Sequence, residues 1–179
     1  MEKHEAYLGS AAFFLIAPGT IAGLIPWLIT HWRIEDGTGL TSLIVGAVMT
    51  AAGAAMVAEC FIRFARTGGG TPAPVAPTQK LVVTGLYRYV RNPMYVGVLL
   101  AIFGQMLLFS SAAMLAYGVA IWTAFHLFVV FFEEHRLQQK FPEEYPAYFT
   151  HVPRWFPRLT PWRQAPPAKS ASAPLSGEP

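Results

Sequence analysis

A chain of 179 residues that is 54% hydrophobic and only 13% charged is more apolar and less charged than an average soluble domain. The net charge is +3, the charged residues flank long uncharged runs, and no nucleic-acid motif is present. These features argue against a nucleic-acid partner. The single Cys60 excludes an intramolecular disulfide and has no metal-site spacing, so we expect no metal. The composition predicts an all-α integral membrane domain over residues 1–163, in contact with the lipid bilayer.

Three uncharged runs, residues 7–30, 40–58 and 92–132, are long enough to cross a membrane. The last is about twice one crossing, so it predicts a helical hairpin that turns at Phe109 to Ala112. The first run is longer than the apolar core of a signal peptide and no small-residue cleavage pattern follows it, so we expect it to be retained. The sequence thus predicts four transmembrane helices, at about residues 7–30, 40–62, 93–109 and 112–132.

The distribution of charge predicts the orientation of these helices. Basic residues without any acidic residue among them lie between the second span and the hairpin: Arg63, Arg66, Lys80, Arg88 and Arg91. Short loops rich in Lys and Arg stay in the cytoplasm. With four spans, we therefore expect both termini to be cytoplasmic.

The first two spans contain small residues at helical spacing, which favour close packing of helices. These are Gly19 and Gly23 in the first span, and Gly46, Thr50, Gly53 and Ala54 in the second. Pro18 and Pro26 are expected to kink the first span. Glu59 and Arg63 are four residues apart in the favourable order for a helical ion pair.

Two segments are expected to lack regular structure. Residues 67–79 are rich in Gly and Pro and predict a linker across the cytoplasmic face. Their glycines lack the Lys-Ser/Thr of a phosphate-binding loop. Residues 164–179 have the composition of a disordered tail.

Polar residues within the hairpin are candidates for function, because such groups usually face the interior of a bundle. Gln105 and His126 are the notable ones. His126 and Glu133 are seven residues apart, so a regular helix would place them on one face. His126 could act in chemistry or simply form a hydrogen bond within the bundle.

The segment after the hairpin is too polar to cross the membrane and too aromatic to lie free in water. We expect it to fold back on the cytoplasmic face, with Trp155, Phe156 and Trp162 reaching the headgroup region. The hairpin then brings two basic, tyrosine-rich segments together. Arginines can bind a carboxylate, glutamates an ammonium, and tyrosines a cation or an adenine, and S-adenosylmethionine presents all of these groups.

Two motifs carry a specific resemblance. The first is GLYRYVRNPMYVG over residues 85–97. The second comprises Glu133, Glu134, Leu137, Phe141, Tyr145, Tyr148, Val152, Pro153, Arg154 and Pro157. In this order, separated by a hairpin-length apolar run, they resemble the isoprenylcysteine carboxyl methyltransferase family. That family belongs to a wider group that includes phospholipid N-methyltransferases and membrane thiol methyltransferases, and the resemblance covers roughly residues 81–158.

The resemblance implies a membrane methyltransferase that uses S-adenosylmethionine as cofactor. The cofactor-binding residues carried over from it are Tyr89, Arg91, Asn92, Pro93, Tyr95, Gly97, Glu133, Glu134, Tyr145 and Tyr148. We hypothesise that Arg154 or Arg88 orients an acceptor carboxylate. Glu133 or Glu134 would hold the cofactor ammonium. The candidate catalytic residues are Arg154, Arg88 and Glu134.

Asn92 departs from the family, which often has His at this position. Asn keeps a donor and an acceptor but cannot carry a charge, so a binding role survives and a general-base role does not. The acceptor stays open between a lipidic or small carboxylate, a thiol and an amine, and the oligomeric state stays open as well. Two alternatives are an NADPH-dependent membrane reductase with a similar C-terminal arrangement and a non-enzymatic adaptor.

Overall fold

The computed structural model describes residues 16–67 and 81–163, and all regular secondary structure in these parts is helical. The helices are α1 (Ile16–Thr30), α2 (Leu40–Thr67), α3 (Pro93–Phe109), α4 (Ala112–Lys140) and α5 (Tyr145–His151), with a short 3-10 turn at Gly85–Arg88. The predicted all-α class is confirmed for these residues. The predicted tail, nearly all of the predicted linker and the first part of the first predicted span lie outside the described residues.

Two of the helices are long and apolar enough to cross a membrane, α2 over Leu40–Arg63 and α4 over Ala112–Lys140. The described part of α1 and the whole of α3 are apolar but shorter, so the count of four spans stays a prediction. The apolar side chains of the long helices are largely exposed: Val48 is 63% and Val119 50% exposed. That exposure is unlike a core helix of a soluble protein and suits lipid as the surrounding solvent.

The small residues of α2 pack directly against α3, as their spacing predicts. A Cβ added at Gly104 would lie 2.6 Å from the Thr50 amide nitrogen and 2.8 Å from the Gly46 carbonyl oxygen. A Cβ at Gly53 would lie 2.6 Å from the Ala101 amide nitrogen. The two backbones therefore cross so closely that only glycine fits at these positions.

The other pair of small residues, Gly19 and Gly23, makes no such close helix contact within the described residues. Gly19 is exposed, and a Cβ added at Gly23 would meet nothing within 4 Å. Instead α1 packs through larger residues, Ile21, Ala22 and Ile29, against the core that contains Ile102 and Met114.

A proline explains the irregular backbone of α1, which has π-type spacing over Thr20–Leu24. Pro26 has no N–H, so it cannot serve the carbonyl of Ala22 four residues earlier or that of Ile21 five residues earlier. Side chains from other helices donate to these carbonyls: Gln105 Nε2 to Ala22 at 2.8 Å and Tyr117 Oη to Ile21 at 2.7 Å. Gln105 thus has a structural partner and lies away from the candidate functional residues.

Helices α3 and α4 are joined by two residues at the position where the sequence predicts a turn. Ser110 has a left-handed backbone, with φ 48°, and ends α3. Ser111 caps α4 by accepting a hydrogen bond from the Met114 amide. Helix α4 continues to Lys140, well beyond the predicted end of its span at residue 132.

Candidate functional site

Two chain segments meet beside the C-terminal half of α4: residues 85–92, before α3, and residues 152–162, after α5. Backbone hydrogen bonds join them from the Arg91 amide to the Pro153 carbonyl at 2.9 Å and from the Arg158 amide to the Tyr89 carbonyl at 3.0 Å. A third runs from the Trp162 amide to the Arg88 carbonyl at 2.9 Å. The two basic, tyrosine-rich segments of the sequence are therefore neighbours in the fold.

Glu134 is the centre of a charged cluster at this junction. Arg154 binds it with two hydrogen bonds, Nε to Oε1 at 2.7 Å and Nη2 to Oε2 at 2.8 Å. Arg91 approaches the same carboxylate, with Nη1 3.1 Å from Oε1. Hydrogen bonding to the Glu134 carboxylate raises the pKa of Arg154 above its ordinary value. Arg154 thus remains charged, and both arginines engage the carboxylate of Glu134.

Arg91 is buried but incompletely satisfied. Its side chain is only 9% exposed, and its guanidinium carbon lies 4.1 Å from the centre of the Phe149 ring. Within the described residues, its buried Nε and Nη1 have no hydrogen-bond acceptor, because the approach to Glu134 lacks hydrogen-bond geometry. Buried donors are rarely left unpaired, so this arginine has donors available for an anionic ligand.

Tyr95 and Glu133 form a second polar pair. The Tyr95 hydroxyl donates to Glu133 Oε2 at 2.9 Å, and the Tyr95 ring lies on Phe125 with 4.7 Å between centroids. Phe125 and Glu133 are eight residues apart, which a regular α-helix would separate by about 80° around its axis. A π-type stretch over Val129–Glu133 adds one residue to the turn and rotates the following helix by about 100°, which aligns them.

The same rotation corrects the expectation that His126 and Glu133 share a face. Glu133 contacts Tyr95, whereas His126 Nδ1 accepts a hydrogen bond from Trp155 Nε1 at 3.1 Å. His126 also stacks on Trp122, with 5.4 Å between ring centroids. These contacts support the alternative in which His126 is a hydrogen-bonded residue within the bundle.

Tyr145 and Tyr148 are buried, together with Val152, in a small core beside the junction. Burial raises the pKa of Tyr145 to about 12, although the positive charge of Arg91 partly opposes the shift. Burial also raises the pKa of Tyr148, whose hydroxyl donates to the Tyr87 carbonyl at 2.8 Å. Both hydroxyls are therefore protonated, neutral donors at physiological pH.

The remaining predicted site residues have structural contacts at the same junction. Asn92 is buried and donates from Nδ2 to the Arg154 carbonyl at 3.1 Å. Arg88 donates from Nε to the Trp162 carbonyl at 2.8 Å. Pro93 begins α3, and Gly97 contacts α2 near Gly53.

Tyr89 joins the junction through its carbonyl, which accepts the bond from Arg158. Thus the structure gathers Arg91, Glu134 and Arg154 in one cluster and Tyr95 with Glu133 in another. The other predicted residues make the separate contacts described above.

Two contacts of the site were not predicted from the sequence. Phe149 covers Arg91, and Trp155 reaches His126. The Tyr145–Phe149 spacing of four residues on a short helix was a usable signal for the first, since such residues share a face. The second joins residues 29 apart and had no local signal.

Comparisons with known proteins agree with the two motifs. The family model described as phospholipid methyltransferase matches residues 41–144, which include the first motif and the Glu133–Glu134 pair. Protein-S-isoprenylcysteine O-methyltransferase B of Arabidopsis thaliana is 29% identical over 133 residues, or 74% of this chain. A probable protein-S-isoprenylcysteine O-methyltransferase of Oryza sativa subsp. indica is 27% identical over 149 residues, or 83% of this chain.

The chain spans 64% of the length of the Arabidopsis relative and 74% of that of the rice relative. No solved structure matches the chain. The resemblance to isoprenylcysteine methyltransferases that the motifs indicate is confirmed by these relatives. Because the family model covers more than half of the sequence, the chain belongs to the phospholipid methyltransferase family.

Proposed function

We propose that this protein is a membrane-embedded methyltransferase that uses S-adenosylmethionine and methylates the carboxylate of a lipidic acceptor. The observation that carries the proposal is Arg91, a buried arginine with donors that lack an acceptor in the described residues. It lies beside Glu134 and Phe149, at the junction of the two motifs. An anionic ligand would complete its hydrogen bonding.

The residues present fit the cofactor. Arg91 offers donors for its carboxylate, and Phe149, which is 42% exposed, offers aromatic surface. Glu133, which is bonded to Tyr95 on one oxygen, offers an acceptor for its ammonium. We assign the ammonium to Glu133 rather than Glu134, since two arginines already engage Glu134.

When bound, S-adenosylmethionine supplies a methyl group on a positively charged sulfonium. The protein must align an acceptor with that methyl group and exclude water. Arg154 is suited to aligning the acceptor, because its side chain is 28% exposed and its two bonds to Glu134 fix the orientation of its guanidinium plane. Asn92 supports it by bonding the Arg154 carbonyl.

The choice of a carboxylate acceptor rests on the positive charge of Arg154 and on the names of the two plant relatives, which are O-methyltransferases of an isoprenylcysteine. The exposed apolar surface of α4 supports a lipidic acceptor. We further propose that all four predicted spans cross the membrane with both termini in the cytoplasm.

The first test is isothermal titration of the detergent-purified protein with S-adenosylhomocysteine and, separately, with NADPH. We expect the first ligand to bind and the second not to bind. Arg91→Leu should weaken binding by at least tenfold, about 1.4 kcal/mol. Arg136→Leu, which removes an exposed arginine from the same helix as Glu134, is the matched control and should bind normally. Binding of NADPH alone would favour the reductase. If a folded protein binds neither ligand, the cofactor assignment is wrong.

The acceptor is tested separately, with methyl-labelled cofactor and protein in lipid vesicles. N-acetyl-S-farnesylcysteine should become labelled, and base should release the label as methanol, since methyl esters are hydrolysed by base. Phosphatidylethanolamine and a small alkyl thiol are the comparison acceptors. Base-stable label in either of these would contradict a carboxylate acceptor while leaving the methyltransferase proposal intact.

A further inference from the structure

The segment after α5 presents two apolar side chains to the outside. Phe156 is 84% exposed and Leu159 is 99% exposed. A single exposed apolar residue needs no explanation. These two lie three residues apart in a segment whose position relative to α4 is fixed by specific bonds.

Those bonds place the segment across the boundary between the charged and the apolar parts of α4. Arg154 is bonded to Glu134, at the charged end. The next residue, Trp155, extends its indole to His126. His126 lies eight residues before Glu134, or about 12 Å along the helix at 1.5 Å per residue. The exposed residues of α4 around His126 include the large apolar side chains of Trp122, Leu127 and Phe128.

The backbone of the segment is suited to an apolar environment. In lipid, every unpaired N–H is costly, and proline has none. The segment has prolines at 153, 157 and 161. The amides of Arg158 and Trp162 are bonded to the carbonyls of Tyr89 and Arg88. Such a chain loses fewer hydrogen bonds on leaving water than an ordinary loop would.

We propose that residues 156–159 insert into the lipid leaflet that surrounds the charged end of α4, with Phe156 and Leu159 among the acyl chains. The inference rests on the proposed membrane crossing of α4, and lipid is the occupant because the segment continues the exposed apolar surface of that helix. Exposed Arg163 lies near the end of the segment and suits a negatively charged headgroup. The insertion would hold Arg154 at the membrane surface.

This inference revises the expected aromatic contacts with the headgroups. Trp162 instead packs on the protein, with 5.8 Å between its ring centroid and that of Tyr148 and 5.9 Å to that of His151. Trp155 is bonded to His126. Of the three aromatic residues, only Phe156 is free to enter lipid, and Leu159 joins it.

The test is the depth of spin labels at single cysteines, which does not depend on enzymatic activity. The one native cysteine, Cys60, is fully buried, so Phe156→Cys and Leu159→Cys each create one accessible thiol. The full chain is labelled and reconstituted in vesicles of phosphatidylcholine and phosphatidylglycerol. Two controls are labelled in parallel: Leu115→Cys on the exposed apolar side of α4 and Glu143→Cys on an exposed turn.

Oxygen, which dissolves in lipid, and a water-soluble nickel chelate report the environment of each label. We expect oxygen-to-nickel accessibility ratios at Phe156 and Leu159 severalfold above that at Glu143 and close to that at Leu115. Ratios closer to that at Glu143, or low access to both reagents as at a protein-covered site, would overturn the inference. If Leu115 also resembles Glu143, the proposed membrane crossing itself fails. Two variants are labelled so that the inference is still tested if one of them misfolds.

Discussion

Replacing Glu134 by Gln tests whether this carboxylate holds two arginines in place. The substitution keeps the shape of the side chain but removes its charge, leaving buried Arg91 without an anionic partner in the described residues. Breaking a buried ion pair by removing one partner costs about 3–5 kcal/mol. Because Arg154 is 28% exposed and recovers some hydration, we expect the lower end, about 3 kcal/mol.

For a chain of this length, each kcal/mol corresponds to about 2–4 °C in Tm, so the variant should unfold about 6–12 °C below the wild type. Thermal unfolding is followed by tryptophan fluorescence in one detergent and at one scan rate. Glu143→Gln, at an exposed position, is the matched control and should leave Tm unchanged.

A double mutant separates the ion pair from a general loss of packing. Arg91→Met removes the stranded charge, so its combination with Glu134→Gln should be less destabilised than the sum of the two single variants. A Tm of the Glu134→Gln protein within about 2 °C of the wild type, or strictly additive single effects, would refute the reasoning.

Three further predictions concern packing, backbone satisfaction and pH. Gly104→Ala should destabilise the protein by about 1–3 kcal/mol because its Cβ would collide with the backbone of α2, whereas Gly23→Ala, which meets open space, should not. Both are measured by thermal unfolding, and equal effects would contradict the close crossing. Gln105→Leu should cost about 1–3 kcal/mol by leaving a carbonyl of α1 unsatisfied, and less in a Pro26→Ala background, where the restored N–H can bond that carbonyl. Denaturant unfolding of the wild type, the two single variants and the double variant gives the coupling energy between the two positions. If Gln105→Leu costs the same free energy of unfolding in both backgrounds, the proposed role of Gln105 is contradicted. Because the pKa of Tyr145 is raised to about 12, the folded state holds this proton more tightly than the unfolded state. In denaturant unfolding, stability should therefore fall as pH rises from about 10 to about 12, and Tyr145→Phe should flatten its share of that slope. An unchanged slope in Tyr145→Phe would contradict the raised pKa.

Several features follow from the sequence because they depend on local patterns. The uncharged runs and the serines at 110 and 111 predict where α3 ends and α4 begins. The spacing of Gly46, Thr50 and Gly53 predicts a close helix contact, and the structure places α3 there. The i,i+4 spacing of Glu59 and Arg63 predicts their ion pair, which is present. The two motifs indicate the family without any structure.

Tertiary structure decides the contacts that no local pattern encodes. The π-type stretch in α4 turns Glu133 toward Tyr95 and away from the face of His126, because one extra residue in a turn changes the phase of every residue after it. Likewise, Arg91 is one of several arginines in the sequence. In the structure, Phe149 of α5 covers its guanidinium, and two of its buried donors have no acceptor in the described chain. Burial depends on segments that are distant in sequence and close in space.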